Sequence, residues 1–591
     1  MRPTLAKSAV ASFAIGVTAQ FVPAPTDLIT KNGYAGIDVR YKEVPTGICE
    51  LDPNVKSFSG YADVGENQHI FWWFFEARNQ DPTEAPLTVW INGGPGSTSM
   101  IGLFEELGPC YIDINGDVIN NPYSWSNASN MLFIDQPTTV GFSYSIPVPG
   151  YKDKDGYIIQ LPNTTCPEYA QQFGTCGTYS KADLSLTANT TEGAAPNLWK
   201  TLQGFMGAFP DYSRNGFSFT TESYGGHYAP VFNEYILEQN AKNISGAHHI
   251  ELENVLIGNG WFDPLSQYQA YYNFSIYPGN TYDITFNESV AAEWYNNLYG
   301  EGNCLDQTKQ CYLTGENAIC ARADEFCYNK VEYLYDLYSG RDEYDARELT
   351  PDPFPYGYYQ KYLNSAKVQK AIGAYQNFSG SSSTVSYAFG NTGDDDRESG
   401  TIEACQKLLD AGVQVMLYYG DADYNCNWLG GEVVADLIGA PGYNTSGYVD
   451  INTTDGIVHG QVKQSDLFSF LRIYESGHEV PFYQPLASLE IFERALGQVD
   501  IATGKKKVQK GGGYRTVGTR KSEYREGNST VQFDVLPANA TYNTKLNAPD
   551  PVPTWAPARN TTKRSKGSLT RRSAGRLGRP IKTRGGQRPA R

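Results

Sequence analysis

The sequence predicts an α/β protein built on a central mixed, mostly parallel sheet with helices on both faces. Three observations lead there. Near-continuous apolar runs at 87–91, 131–135, 217–220, 255–258, 413–419 and 468–474 alternate with longer helix-prone stretches, and strands of that kind are buried on both faces. At Ser223 the period changes from strand to helix, with Tyr228, Phe232, Tyr235 and Ile236 on one helical face. Two later apolar runs end in residues suited to acid-base work, Asp421 and Asp423 after one and His478 after the next.

In chain order, residues 1–19 read as a signal peptide: Arg2 and Lys7 form the positive n-region, 9–17 the apolar stretch, and Val17-Thr18-Ala19 the cleavage site. Pro23 and Pro25 would end any helix continuing from there. A leader segment spans 20–42 and the catalytic domain 43–500. Within that domain, at about 261–374, the strand signal fades into a Tyr-rich, Cys-rich, helix-prone cap insertion, and insertions at such a position usually cover an active site. The extension 501–558 contains Lys505, Lys506, Lys507 and Gly511, Gly512, Gly513, with one late strand expected at 531–535. The tail 559–591 holds 12 Lys or Arg, no acid and too little apolar content to fold alone.

Composition excludes several classes. The chain has 40% hydrophobic residues, enough for a large core. Its formal charge is −17, and without the basic tail the remainder sums to −29, a body that would repel nucleic acid. No window reaches the roughly 18 apolar residues of a membrane span. Sequons at Asn127, Asn163, Asn189, Asn243, Asn273, Asn287, Asn377, Asn444, Asn452, Asn528, Asn539 and Asn560 fit a glycosylated chain of the secretory pathway, secreted or vacuolar. The ten cysteines are then expected to pair mostly as disulfides. A zinc peptidase is disfavoured, because the sequence has neither close CxxC pairs nor an HExxH, and no metal or cofactor is expected.

The chemistry centres on Thr221-Glu222-Ser223-Tyr224-Gly225-Gly226. A serine at a strand-to-helix turn, with glycine two residues on, is the nucleophile elbow of the α/β-hydrolase fold, whose triad runs in the order Ser, Asp/Glu, His. A serine hydroxyl becomes nucleophilic only when an imidazole takes its proton, and the imidazolium needs an oriented carboxylate. Asp421 and Asp423 both compete for that carboxylate. Of the six histidines, His478 fits the base; His69, His248, His249 and His459 have no catalytic neighbourhood in the sequence, and His227 reads as a packed residue of the elbow helix. Upstream, Asn92-Gly93-Gly94-Pro95-Gly96 follows a strand and lets backbone N–H groups approach a reacting carbonyl, as an oxyanion hole demands.

These motifs, with Gly102-Leu103-Phe104-Glu105-Glu106-Leu107-Gly108-Pro109, Asp135-Gln136-Pro137, Ile257-Gly258-Asn259-Gly260, the run from Gly420 to Gly430, and Gly477-His478-Glu479-Val480-Pro481, resemble the serine carboxypeptidases over roughly 43–496. The resemblance implies Ser223 as nucleophile, Asp423 as triad acid, His478 as base, and the N–H groups of Gly94 and Tyr224 as the oxyanion hole. It implies that Asn92, Glu106 and Glu222 hold the carboxylate of peptide or protein C-termini, the two acids sharing a proton because both cannot ionise cheaply. It also implies nested disulfides, Cys304–Cys327 around Cys311–Cys320, and a thiol near the site at Cys426. At Glu479, relatives carry methionine or glutamate, so this residue is expected to set leaving-group specificity. The sequence departs from the family where Ser97 stands for a frequent cysteine, and where Thr139 and Thr221 stand for glycines.

The expected activity is a serine-type carboxypeptidase working through an acyl-enzyme and favouring acidic pH. Two alternatives are an acyltransferase on the same scaffold, against which the intact Asn92, Glu106 and Glu222 set argues, and a non-catalytic binding module, which would normally lose a triad member. Charge repulsion and ordering entropy predict that limited proteolysis clips the tail after Arg559 without loss of activity. A fall in activity on truncation at Pro557 would contradict this reading.

Overall fold

The computed structural model describes residues 20–523 except 277–281, 283–285 and 353, together with 542–543 and 548–549. The expected signal peptide, the strand at 531–535, the basic tail and the sequons Asn528, Asn539 and Asn560 lie outside the described residues.

Among the described residues a 12-stranded sheet forms the centre of the molecule. Its strands in chain order are β1 (Ile29–Asn32), β2 (Asp38–Glu43), β3 (Ser57–Gly65), β4 (Gln68–Phe75), β5 (Leu87–Ile91), β6 (Asn130–Ile134), β7 (Phe217–Glu222), β8 (Leu252–Gly258), β9 (Gln414–Gly420), β10 (Val449–Asn452), β11 (Val458–Ser465) and β12 (Phe468–Ile473). The spatial order is β1-β2-β3-β4-β6-β5-β7-β8-β9-β12-β11-β10. The six strands legible as apolar runs are the middle of this order, from β6 to β12, and pair in parallel. The flanking strands are antiparallel.

Strand alternation explains the two cores. Val89, Ile91, Phe219, Val255, Ile257, Val415 and Leu417 face one layer with the helices Thr191–Ala208 and Gly225–Lys242. Trp90, Leu256, Met416 and Leu471 face the other, with the helix Pro485–Leu496. Side chains of successive residues point to opposite faces, so a run that is apolar throughout needs a helical cover on each side.

The cap is helical. After β8 the chain runs through helices from Pro264–Ile276 to Asn317–Cys327, where Cys304–Cys327 and Cys311–Cys320 form nested disulfides. The helix Ser383–Thr392 packs on Asn317–Cys327. Cys49–Cys110 and Cys166–Cys176 also pair, and Cys405 and Cys426 are buried free thiols. Among the described residues no helix is long and apolar enough to cross a membrane.

Residues 514–519 are tied by backbone bonds to the sheet edge. Asp466 N donates to Tyr514 O (2.9 Å), Thr516 N to Gln464 O (3.0 Å) and Thr519 N to Tyr448 O (3.0 Å). An edge strand offers unpaired N–H and C=O groups whatever the side chains of its partner. Asn377 is buried, and its Oδ1 accepts from Thr178 N at 2.8 Å. Asn163, Asn189, Asn243, Asn287, Asn444 and Asn452 are exposed, whereas Asn127 and Asn273 are half-buried.

Candidate active site

β7 ends at Glu222, and the helix beginning at Gly225 leaves at once, which forces Ser223 into left-handed backbone at φ 63°. The turn is held from both sides: Ser223 N donates to Gly258 O (3.0 Å), and Ser223 O accepts from Gly226 N (3.0 Å) and Trp261 N (2.8 Å). A side chain at Gly225 would reach within 2.0 Å of Thr221 Oγ1, and one at Gly226 within 2.4 Å of Trp261 O. Both positions therefore require glycine. Thr221, in place of the usual first glycine, donates its hydroxyl to Ile91 O at 2.5 Å and ties the elbow strand to β5.

The Asn92-Gly93-Gly94 loop leaves β5 directly against this turn. A Cβ on Gly93 would sit 2.4 Å from Tyr224 N, so the loop and the elbow touch backbone to backbone. Gly94 adopts φ 123°, a conformation open to glycine. Within the described chain neither Gly94 N nor Tyr224 N donates to a backbone or side-chain acceptor. Both N–H groups remain available beside Ser223.

A continuous run of bonds joins the elbow to the candidate acid and base. Asn259, next after Gly258, donates Nδ2 to Asp423 Oδ2 (2.8 Å), its orientation fixed because Gly420 N donates to its Oδ1 (2.9 Å). The same Asp423 oxygen accepts from Cys426 N (3.1 Å) and lies 2.7 Å from His478 Nδ1. Nε2 is thereby left for a serine proton. Asp421 does something else: it accepts from Tyr282 OH (2.9 Å), Glu475 N (3.0 Å) and Arg472 Nε (3.3 Å), anchoring the loop that carries His478. His478 thus meets Asp423, the aspartate the resemblance pointed to, and not Asp421. Asn259 was legible only as part of a family motif, since an asparagine in a Gly-Asn-Gly turn carries no chemical signal of its own.

Asn92, Glu106 and Glu222 converge beside the elbow. Asn92 Oδ1 accepts from Trp90 Nε1 (2.7 Å) and Gly102 N (3.0 Å), which turns its Nδ2 toward Glu222 Oε1 (2.7 Å) and Glu106 Oε1 (3.4 Å). Burial, followed by the neighbouring Glu479 charge, pushes Glu106 up to about 8. Burial and the neighbouring Glu106 charge push Glu222 well above the carboxylate range.

Glu479 follows the base and is half-buried, with Oε2 enclosed. Burial raises it to about 7 against the pull of His478. Burial lowers His478, but Asp423, Glu479 and Glu106 outweigh this and bring it to about 9. Neutralising Glu106 and Glu479 removes part of what holds the imidazolium, so the proton affinities of base and acids are linked. Burial raises the Cys426 thiol well above its ordinary value and keeps it protonated. Asp423, Cys426 and His478 bring ligand-type atoms within 4.8 Å of one another. A cation there would have to displace the proton between His478 and Asp423.

Two departures from the family pattern acquire structural consequences. Thr139 keeps the left-handed backbone (φ 84°) that glycine adopts without strain, and its hydroxyl pairs with Ser382 Oγ at 2.8 Å. Ser97 is buried and bridges to Ser381.

The sequence profile of the serine carboxypeptidases matches residues 46–498. Carboxypeptidase S1 homolog A of Arthroderma otae is 40% identical over 547 residues, covering 85% of this chain and 83% of that relative. Carboxypeptidase S1 of Penicillium janthinellum is 37% identical over 468 residues, covering 78% of this chain and 99% of that protein. Among solved structures, Kex1Δp, a prohormone-processing carboxypeptidase from Saccharomyces cerevisiae, shares the fold with a TM-score of 0.61 at 22% identity, over 79% of this chain and 98% of the other.

With Asp423 on His478 and Asp421 on the loop, Asp423→Asn is expected to lower kcat about 10⁴-fold by trapping the wrong imidazole tautomer. Asp421→Asn should act mainly on stability. Steady-state kinetics beside thermal melts separate the two, and a larger kcat loss for Asp421→Asn would reverse the assignment.

Proposed function

The chain belongs to the serine carboxypeptidase family and is a serine-type peptide hydrolase, and we propose that Ser223, His478 and Asp423 carry its reaction through an acyl-enzyme on the C-terminal peptide bond. One observation supports this reading above the others: Asn92 Nδ2 faces two buried carboxyls, Glu222 and Glu106, beside the elbow, and burial pushes both toward the neutral form. That arrangement offers hydrogen-bond donors, and no second negative charge, to a substrate carboxylate.

The substrate's terminal carboxylate binds to Asn92 Nδ2 and the protonated acid pair, which places the last peptide carbonyl over Ser223. His478 Nε2 takes the hydroxyl proton as Oγ attacks, and Asp423 steadies the imidazolium. The N–H groups of Gly94 and Tyr224 receive the developing oxyanion. His478 passes the proton to the leaving amine, the C–N bond breaks, and the free amino acid departs. Water then attacks the acyl-enzyme with His478 again as base.

The four disulfides and the exposed sequons support passage through the secretory pathway to a secreted or vacuolar destination. Glu479, one residue from the base, is placed to face the leaving amino acid, and the half-buried Glu105 lies close enough to raise its own carboxyl further by repulsion from Glu479. Once ionised, Glu479 offers a negative charge that admits Lys or Arg beside apolar leaving residues.

Two outcomes test this function. Glu106 keeps its own proton below about 8, and above it becomes an anion facing the substrate carboxylate while Glu222, raised further, stays protonated. KM for peptides should therefore rise as pH increases through that range, while C-terminally amidated or ester substrates change much less; parallel KM curves for the two substrate types would refute the role of these acids in holding the carboxylate. At a pH above 7, where Glu479 ionises, Glu479→Met should lower the ratio of Lys or Arg release to Leu or Phe release several-fold, the loss of ~1 kcal/mol of partly desolvated attraction. An unchanged ratio would remove Glu479 from specificity.

A further inference from the structure

His459 lies on β11, fully buried, and the triad does not use it. Its Nε2 is 2.9 Å from Asp455 Oδ2 and its Nδ1 is 3.0 Å from Gln484 Oε1. Gln484 Nε2 in turn donates to Tyr474 O (3.0 Å) and Glu475 O (3.3 Å). Because the nitrogen of this amide is committed to two carbonyls, its oxygen must accept, and the donor is His459 Nδ1–H. Asp455 is itself fixed by Ile457 N (3.0 Å) and Thr453 Oγ1 (2.7 Å).

What this relay holds is the segment bearing the base. Tyr474 and Gln484 are the two ends of residues 474–484, which carry His478 and Glu479 between them. The middle of the segment is tied outward: Ala422 N donates to Ser476 O (2.8 Å) and His478 N to Tyr344 O (2.9 Å). The Gln484 side chain ties the two ends to each other. Glu475, one of its acceptors, has left-handed backbone at φ 52°, a conformation that persists in a non-glycine residue only when its surroundings impose it.

We propose that His459 is a positioning residue for the base, acting through Gln484 to hold the loop on which His478 meets Asp423 and Ser223. The chain thus places a carboxylate on an imidazole twice, with Asp423 orienting the ring that moves the proton and Asp455 orienting the ring that holds the loop. A loop displaced by about 1 Å lowers turnover without weakening recognition of the terminal carboxylate, which resides on other elements. The proposal rests on His478 being the base, and that assignment is tested separately by His478→Ala.

The experiment measures kcat per active site, counted with a serine-directed phosphonate titrant so that misfolded protein does not enter. His459→Ala should lower kcat about tenfold with KM within about twofold. Gln484→Glu keeps the acceptor for His459 but loses both donors to the loop, and should show the same split. The double variant should be no slower than either single one, because both interrupt one relay. His459→Gln, whose amide N–H can still reach Gln484, should restore most of kcat, and the shorter His459→Asn should not. Unchanged kcat per site in His459→Ala and Gln484→Glu, multiplicative losses in the double variant, or equal kcat in His459→Gln and His459→Asn would each overturn the proposal. The last comparison decides where His459→Ala gives no titratable enzyme.

Discussion

The left-handed turn at Ser223 is the constraint on which the site depends. A non-glycine residue there costs about 1–2 kcal/mol, and the surrounding structure supplies what holds it: Gly258 O, Trp261 N and the close backbone contact of Gly93. Each of these also fixes another part of the site. Gly258 leads to Asn259 and so to Asp423; Gly93 leads to Gly94 and Asn92; Trp261 opens the helical cap. One strained turn thus sets Ser223, Asp423 and Asn92 in register at the carboxyl ends of parallel strands.

A second theme is the crowding of ionisable groups in a site that excludes water. Glu106 and Glu222 are raised first by burial and then by neighbouring acids, Glu479 by burial with Asp423 and Asp342 against the pull of His478, and His478 by Asp423, Glu479 and Glu106 against burial. As acids in the cluster take up protons, they reduce their own repulsion of the substrate carboxylate and also reduce the attraction that keeps His478 protonated. Acidity therefore favours binding while limiting its cost to the base, and the titration belongs to the cluster rather than to any one residue.

The loops carrying the acid and the base are held largely from outside their own strands. Asp421 and Tyr344 bond the backbone of the His478 loop, and Gln484 closes it under the control of His459. Thr139 shows the same tolerance for local strain when neighbours impose it: a β-branched residue keeps a glycine-like conformation, and its hydroxyl finds Ser382.

The sequence by itself determined the six parallel strands, because a strand covered on both faces must be apolar throughout, and it determined the elbow, because a serine between strand and helix followed by glycines has few other uses. It did not reveal the antiparallel edge formed by β1, exposed throughout, and β2, largely half-exposed, which read as polar, or the pairing of residues 514–519, which depends on backbone groups common to every sequence. Tertiary structure alone put Asp421 on the backbone of the loop that carries His478, buried Asn377, and set His459 against Gln484 at the end of that loop. Each of these depends on which groups lie within about 3 Å across long separations in the chain, and periodicity, composition and local motif carry no record of such distances.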